Sequence, residues 1–135
     1  FANLLFHYTG NPAHRRLAIR AMEFLAVPEV AQKFTTASVL LVDREISSAP
    51  MHLTVVGGRA DPKAHALLAA ALADPQAYKR VELFDRRDGP LPNSDVEFPD
   101  LDRAAAFVCT SSRCSLPAFT PEERIARLRA NPATP

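Results

Sequence analysis

The hydrophobic pattern of the chain changes at Pro50, and this change limits the folds that the sequence can adopt. Before it, apolar residues recur at the spacing of amphipathic helices, as in Leu17, Ala21, Phe24 and Leu25. After it, residues 51–57 are apolar and β-branched, as is typical of a strand. The pattern predicts helices over residues 1–48 and a small α/β subdomain over residues 49–135.

Prolines and one glycine divide the first part into three predicted helices. The first ends near Tyr8, with Gly10 just beyond its end, and Pro12 begins the second. Pro28 begins the third, whose apolar positions are Val30, Phe34, Ala37 and Leu41. Short connections predict antiparallel neighbours. Helices with such faces need a covering surface, and we expect upstream domains of the same polypeptide to supply it.

The second part alternates strands and helices. Asp61 and Pro62 begin a helix with an apolar stripe at Ala64, Leu67, Leu68 and Ala71. Residues 79–84 form a second predicted strand, and the apolar run 104–109 a third that is buried on both faces. A strand, helix and strand in succession imply a parallel pair with a right-handed crossover. We therefore expect an α+β or α/β class, with a small three-stranded, mostly parallel sheet and flanking helices.

A last helix is predicted near the C-terminus. Thr120 and Glu123 have the spacing of a capping box, and Ile125 and Leu128 would line the helix that follows.

Composition argues against several functional classes. The 135 residues carry 16 basic and 15 acidic side chains, scattered along the chain, which gives no footprint for nucleic acid. No apolar run reaches the roughly 18 residues of a membrane span. Two cysteines do not make a disulfide scaffold, so we expect a reducing, cytoplasmic location. We expect neither cofactor nor membrane partner.

Cys109 and Cys114 are the redox candidates of the sequence. Their C-x4-C spacing permits a disulfide if the chain between them turns back, but it does not require one. A thioredoxin-type pair would be C-x-x-C at a helix start, and a zinc site would need two further ligands. The histidines have no ligand spacing, so no metal site is predicted. The sequence leaves two interpretations of Cys109 and Cys114 open: two structural cysteines, or a redox-sensitive pair.

Gly57 and Gly58 form a possible ligand turn, where the first predicted strand meets the next helix. Backbone N–H groups at a helix start can hold a phosphate. However, neither G-x-G-x-x-G nor a P-loop signature is present, so a tight turn that needs glycine is the alternative.

Other polar residues do not assemble a catalytic set, and whether the chain is an enzyme stays undecided. Asp43 and Glu45 would point about 200° apart on a helix. Residues 85–88 are of mixed charge and predicted to lie at the surface, and His52 is predicted to be a partly buried histidine rather than a general base.

Four segments together resemble the C-terminal end of the spermatogenesis-associated protein 20 family, the thioredoxin-domain-containing proteins. They are Tyr8–Pro12, Val55–Gly57, Phe107–Pro117 and Thr120–Glu123. The resemblance is strongest around Cys109, Cys114 and Pro117, although Ser111 stands where the family pattern usually has Asn. It implies an upstream thioredoxin-like domain and an α/α barrel like those of six-hairpin glycosidases, of which residues 1–48 would be the last helices.

The resemblance predicts a C-terminal fragment without a complete active site of its own, from a parent that acts on carbohydrate or has lost its chemistry. The uncapped start at Phe1 agrees with such a fragment. The alternatives are a redox-responsive interaction module that uses Cys109 and Cys114, and a small α/β ligand-binding domain with its site near Gly57 and Gly58.

Overall fold

The chain forms two compact units, Phe1–Pro50 and Met51–Pro135. The computed structural model describes residues 1–33, 36–94, 96–110, 113–123 and 126, without the side chains of Thr36, Thr110 and Arg113. Four residues named above, Phe34, Ser111, Ile125 and Leu128, lie outside the described residues.

The first unit is helical. Its helices are α1 (Ala2–Thr9), α2 (Pro12–Leu25), α3 (Pro28–Ala31) and α4 (Thr36–Ser47). Gly10 ends α1 in the left-handed conformation, with φ of 68°, where a residue without Cβ is unstrained. Asn11 caps α2 by accepting a hydrogen bond from the Ala13 N–H at 2.9 Å. The predicted starts at Pro12 and Pro28 are confirmed.

The predicted single helix after Pro28 is wrong, because the chain forms α3 and α4 instead. Gln32 closes α3 through its N–H, which donates to the Pro28 carbonyl at 3.1 Å. The apolar spacing continues across this break and therefore suggested one element.

A polar network joins three helices of the first unit. Asn3, which is 6% exposed, donates from Nδ2 to the Glu45 carbonyl at 2.7 Å. Arg15 donates to Asn3 Oδ1 and, at 2.7 Å, to the Ile46 carbonyl. These bonds satisfy carbonyls near the end of α4 that the helix itself leaves without partners.

The second unit is built on one mixed sheet in the order β2-β1-β3-β4. Its strands are β1 (Met51–Val56), β2 (Lys79–Phe84), β3 (Ala105–Thr110) and the two-residue β4 (Arg113–Cys114). Helix α5 (Pro62–Leu72) joins β1 to β2, which run parallel. The predicted class of helices followed by a small sheet with flanking helices is confirmed.

Strand β3 runs antiparallel to β1, so the sheet is mixed rather than mainly parallel. Ala105 of β3 lies opposite Val56, the last residue of β1. The end of β2 and the start of β3 therefore both lie beside the C-terminal end of β1, and the connection between them begins and ends on that side of the sheet. It needs no crossover helix, which a parallel third strand would have required.

The two faces of the sheet are covered differently. On one face Leu53 and Val55 pack with the α5 residues Leu67 and Ala71 and with neighbouring alanines. On the other face Val56, Phe107 and Cys109 pack beneath apolar residues of the proline-rich connection, namely Leu91, Val96, Phe98 and Leu101. That connection contains a short 3-10 helix, Arg86–Asp88. The second face carries the candidate site.

Candidate functional site

Cys109 and Cys114 are joined by a disulfide across the hairpin of β3 and β4. They are directly opposed in the antiparallel register, with their Cα atoms 4.0 Å apart. The next pair along is hydrogen-bonded, since the Ser115 N–H donates to the Val108 carbonyl at 2.8 Å. Cys109 and Cys114 therefore occupy a non-hydrogen-bonded position, where opposed side chains approach most closely.

The two sulfur-bearing residues differ in their access to solvent. Cys109 is 2% exposed and belongs to the apolar cluster with Phe107 and Phe98. Cys114 is exposed, at the outer strand of the sheet. Of the two predicted redox residues, only Cys114 is thus presented to a reagent from solution. Because the sulfurs are bonded to each other, neither is a free metal ligand in this state.

Beside the disulfide lies a polar cluster that consists of His52, Thr54, Arg80 and Glu82. His52 and Thr54 occupy alternate positions of β1, and Arg80 and Glu82 occupy the paired positions of β2. His52 is also the direct partner of Cys109 on β3. Alternation along strands places all of these side chains on the same face as Cys109.

The histidine is held tightly within this cluster. His52 Nε2 lies 2.6 Å from Glu82 Oε2 and 2.9 Å from Thr54 Oγ1. The side chains of His52 and Glu82 are only 14% and 11% exposed. An ionised carboxylate accepts hydrogen bonds and donates none, so Nε2 carries the shared proton.

Arg80 neutralises Glu82 and ties the covering connection to the sheet. Arg80 Nη2 donates to Glu82 Oε1 at 2.8 Å, and Nε lies 2.8 Å from Glu82 Oε2. The same guanidinium donates to the carbonyls of Pro92 and Asn93 at 2.8 and 3.0 Å. Burial raises the pKa of the Glu82 carboxyl, but hydrogen bonds from His52 and Arg80 outweigh it and hold that pKa below its usual value.

Sequence reasoning placed His52 as a partly buried histidine, and this description is correct for its burial. Its partnership with Glu82 and Arg80 was missed. The signal was present as polar residues at alternate positions of two predicted strands, 52 and 54 in one, 80 and 82 in the other. Only the register of β1 against β2 shows that they meet.

The turn of Gly57 and Gly58 is occupied by a carboxylate of the protein itself. Asp85 Oδ2 accepts the Arg59 N–H at 2.9 Å, and Asp85 Oδ1 accepts the Arg87 N–H at 3.1 Å. Hydrogen bonds from the Arg87 side chain, then from these two N–H groups, hold the pKa of Asp85 far below its usual value. The Gly57 and Arg59 N–H groups of this turn thus already have partners within the protein, the Phe84 carbonyl and the Asp85 carboxylate.

Asp85 corrects the prediction that residues 85–88 form an exposed charged loop. Asp85 is 5% exposed, whereas Arg86, Arg87 and Asp88 are exposed as expected. A charged sequence around an aspartate does not show that its carboxylate caps a distant turn, so the sequence alone pointed to the surface.

A cleft of about 330 Å³ lies beside the start of α5. Its lining includes Lys63 and Leu67 of α5, then Arg103 and Phe119 from the other side. Gly57 and Gly58 are not part of this lining, so the cleft and the predicted ligand turn are separate features.

No protein-family model, no curated protein and no solved structure matches the chain. Among the described residues, no helix has the length and apolar character needed to cross a membrane. Within the same part of the chain, no three His, Cys, Asp or Glu side chains gather as a metal site would need.

Proposed function

We propose that the second unit is a redox-responsive interaction module whose switch is the Cys109–Cys114 disulfide. The observation that carries this proposal is the asymmetry of the bond, which joins a buried residue to an exposed one. A disulfide that reaches an exposed residue on the outer strand of a sheet is more open to thiols in solution than a fully buried one, as regulatory disulfides are. The polar cluster beside the bond adds ionisable groups that a purely structural disulfide does not need.

Opening the disulfide would release the outer hairpin rather than the core of the unit. Strand β4 has two residues, and it is held to β3 by the disulfide and a few backbone hydrogen bonds. The inner strands β1 and β3 are paired along five positions and covered on both faces. Reduction of the disulfide would therefore change the outer edge of the sheet, and we propose that a partner binds this surface.

We further propose a cytoplasmic location for the chain. Disulfides in the cytosol are usually transient and redox-sensing rather than permanent. A cytoplasmic location is therefore compatible with the proposed redox switch.

A glutathione titration tests the switch. The protein would be equilibrated in buffers of increasing GSH to GSSG ratio, free thiols would be alkylated, and the number of labels counted by mass spectrometry. We expect a transition from zero to two labels within the cytosolic range. We also expect faster amide hydrogen exchange in residues 105–117 of the reduced form.

The control is the double variant Cys109→Ala with Cys114→Ala. At every ratio of GSH to GSSG it should show the hydrogen-exchange pattern of the reduced wild-type protein. A disulfide that stays closed at all ratios would make the bond structural. Equal exchange in the two forms would remove the proposed change at the sheet edge.

A second proposal concerns the helical unit and rests on its exposed apolar residues. Leu17, Phe24, Leu40 and Leu41 are between 52% and 63% exposed. Leu17 and Phe24 lie on α2 and Leu40 and Leu41 on α4, and several exposed large apolar side chains are typical of a surface that another element covers. We propose that upstream domains of the same polypeptide cover it, as the resemblance to the spermatogenesis-associated protein 20 family implies. The parent would then carry a thioredoxin-like domain and a barrel that acts on carbohydrate.

Oxidative footprinting of a longer chain tests this second proposal. Hydroxyl radicals would label Phe24, Leu40 and Leu41 in the 135-residue chain and in a chain extended through the upstream coding sequence. We expect these residues to be protected several-fold in the longer chain, while exposed Leu72 of the second unit serves as the reference. Equal labelling in both chains would contradict the proposal.

A further inference from the structure

The cleft beside the start of α5 combines apolar and cationic residues. Its apolar lining includes Leu67, which is buried on α5, and Phe119, which is half-buried beyond β4. Lys63 and Arg103 are cationic, and none of the described lining residues is acidic. A mainly apolar lining with a few polar groups is typical of a site for a small molecule, and the volume of about 330 Å³ is within the usual range of such sites.

The side of the cleft away from α5 is formed by two segments that are distant in the sequence. Arg103 and Ala104 lead into β3, and Ala118 pairs with Ala106 of β3 through two backbone hydrogen bonds of 2.8 and 2.9 Å. This pairing returns the chain, and with it Phe119, to the start of β3. Only the folded sheet therefore brings these residues to the cleft.

Arg103 is held by an aromatic ring. Its Cζ lies 3.7 Å from the centroid of the Phe119 ring, which is so close that a face of the guanidinium rests on the ring. Phe119 in turn packs against the cluster that contains Phe98 and Phe107, so the ring is itself fixed. Stacking occupies a face of the guanidinium and leaves the N–H donors at its edge, which can bind both oxygens of a carboxylate or phosphate.

Two carboxylates near these residues in the sequence act as caps. Asp61 Oδ1 accepts the Lys63 N–H at 2.9 Å at the start of α5, and Glu123 Oε2 accepts the Phe119 N–H at 2.7 Å. Within the part of the chain that the structure describes, no Asp or Glu side chain forms an ion pair with Lys63 or Arg103. Two positive charges beside an apolar lining are complementary to an anion with an apolar body.

We propose that this cleft binds a small oxyanion, a carboxylate or a phosphate ester, that carries an apolar body about the size of one aromatic ring. Arg103 binds the oxyanion through two N–H donors, Lys63 adds a second positive charge, and Leu67 and Phe119 contact the apolar body. A cavity of about 150 Å³ is large enough to bind benzene, so the cleft has room for a ring and its charged group.

This inference goes beyond the proposed redox function and does not depend on it. Neither Cys109 nor Cys114 belongs to the lining of the cleft, and neither does any residue of the polar cluster.

Titration of the nitrogen-15-labelled chain with benzoate, followed by two-dimensional NMR, tests the proposal. We expect amide shifts centred on residues 63–67, 103–104 and 119–120, with a dissociation constant of about 1 mM, because so small a ligand gains little binding free energy. Benzamide has nearly the same shape but no charge, and it should bind about tenfold more weakly because it lacks charge-assisted hydrogen bonds to Arg103.

Phenyl phosphate and inorganic phosphate distinguish the two oxyanions and the role of the apolar body. The tighter of benzoate and phenyl phosphate identifies the preferred oxyanion. Inorganic phosphate has no apolar body and should bind about tenfold more weakly than phenyl phosphate. Equal binding of the two phosphates would show an adventitious ion only and would overturn the proposed ligand class.

Arg103→Gln should weaken the binding of benzoate about tenfold, because it removes the charge and the paired donors. Arg103→Lys keeps the charge without the paired donors and should recover part of the loss. The matched control is Arg59→Gln, since Arg59 is an exposed arginine just before α5 that pairs with Asp88 and lies outside the lining. It should keep the wild-type affinity within about twofold, because an exposed charge outside the cleft is screened by solvent.

Equal binding of benzoate and benzamide would overturn the inference, because the cations would then have no part in recognition. Equal losses in Arg103→Gln and Arg59→Gln would overturn it as well, since general attraction of anions would explain both. The same holds for amide shifts that lie away from the cleft. Circular dichroism and urea unfolding would establish that the variants are folded.

Discussion

At the scale of single residues, Gly57 is required by close packing rather than by backbone conformation. A Cβ at this position would lie 2.9 Å from the Ala64 Cβ and 3.0 Å from the Ala104 Cβ. Ala64 belongs to α5 and Ala104 immediately precedes β3, and both are buried, so neither yields easily. The small residues at 57, 64 and 104 thus permit the contact between helix and sheet.

Gly57→Ala is expected to destabilise the second unit by about 1–3 kcal/mol, as overpacking typically does. Urea unfolding followed by circular dichroism measures the effect. The matched control is Gly58→Ala, whose new methyl group would meet the end of the Arg87 side chain at 3.5 Å and Asp85 Oδ2 at 4.0 Å, both at ordinary contact distance. We expect a change within about 0.5 kcal/mol there. Equal effects at the two glycines would contradict the packing argument.

At the scale of elements, the buried carboxylate of Asp85 joins three parts of the second unit. It follows β2, accepts the Arg59 N–H from the turn before α5, and binds both the backbone and the side chain of Arg87. Gly57 donates its own N–H to the Phe84 carbonyl at 3.0 Å, which continues the parallel pairing into the turn. The end of β2 therefore determines the shape of the turn that follows β1.

Asp85→Asn is expected to be less stable than the wild type at neutral pH. The folded-state pKa of Asp85 is lowered, chiefly by the Arg87 side chain, so its contribution is complete above the unfolded value of about 3.9. The contribution is lost as the pH falls toward the folded value. The difference between variant and wild type should therefore shrink below about pH 4.

Urea midpoints measured between about pH 2.5 and 7 would show this convergence. The control is Asp100→Asn, because Asp100 is 92% exposed and its pair with Arg86 is long, at 3.6 Å. It should have little effect at any pH. A difference for Asp85→Asn that stays constant down to pH 2.5 would show that its charge is not the cause.

The boundaries of helices and strands show which features of the fold can be predicted from local sequence. The predicted second strand coincides with β2, and the predicted helix starts at Pro12, Pro28 and Pro62 are those of α2, α3 and α5. The capping box is present in part, since Thr120 Oγ1 accepts the Glu123 N–H at 3.3 Å and Glu123 accepts from the Phe119 N–H. Caps and prolines act within a few residues, so the sequence alone locates them.

At the scale of the whole molecule, the disulfide contributes modestly to stability because it closes a small ring. The two cysteines are five positions apart, and a ring of this size restricts the unfolded chain by only about 2 kcal/mol. The second unit also buries three apolar clusters, two on the α5 face of the sheet and one on the other face, and burial of apolar surface is the dominant stabilising contribution in most domains. We therefore expect the fold of the second unit to survive opening of the disulfide.

Reduction should therefore lower the free energy of unfolding by about 2 kcal/mol while the second unit stays folded. Urea unfolding with and without a reductant measures the difference, and far-ultraviolet circular dichroism reports whether the sheet persists. The double variant Cys109→Ala with Cys114→Ala should match the reduced protein. Complete unfolding on reduction would show that the disulfide is a structural necessity and would contradict its use as a switch.

The sequence by itself determined where most helices and strands lie, which prolines begin helices, that a glycine ends the first helix, and that two cysteines stand close along the chain. Each of these properties depends on periodicity or on contacts between near neighbours. The tertiary structure decided the direction of β3, the burial of Asp85, the meeting of His52 with Glu82, and the unequal exposure of Cys109 and Cys114. These depend on strand register and on which residues cover each face, because residues about 30 positions apart come into contact only after the sheet has formed.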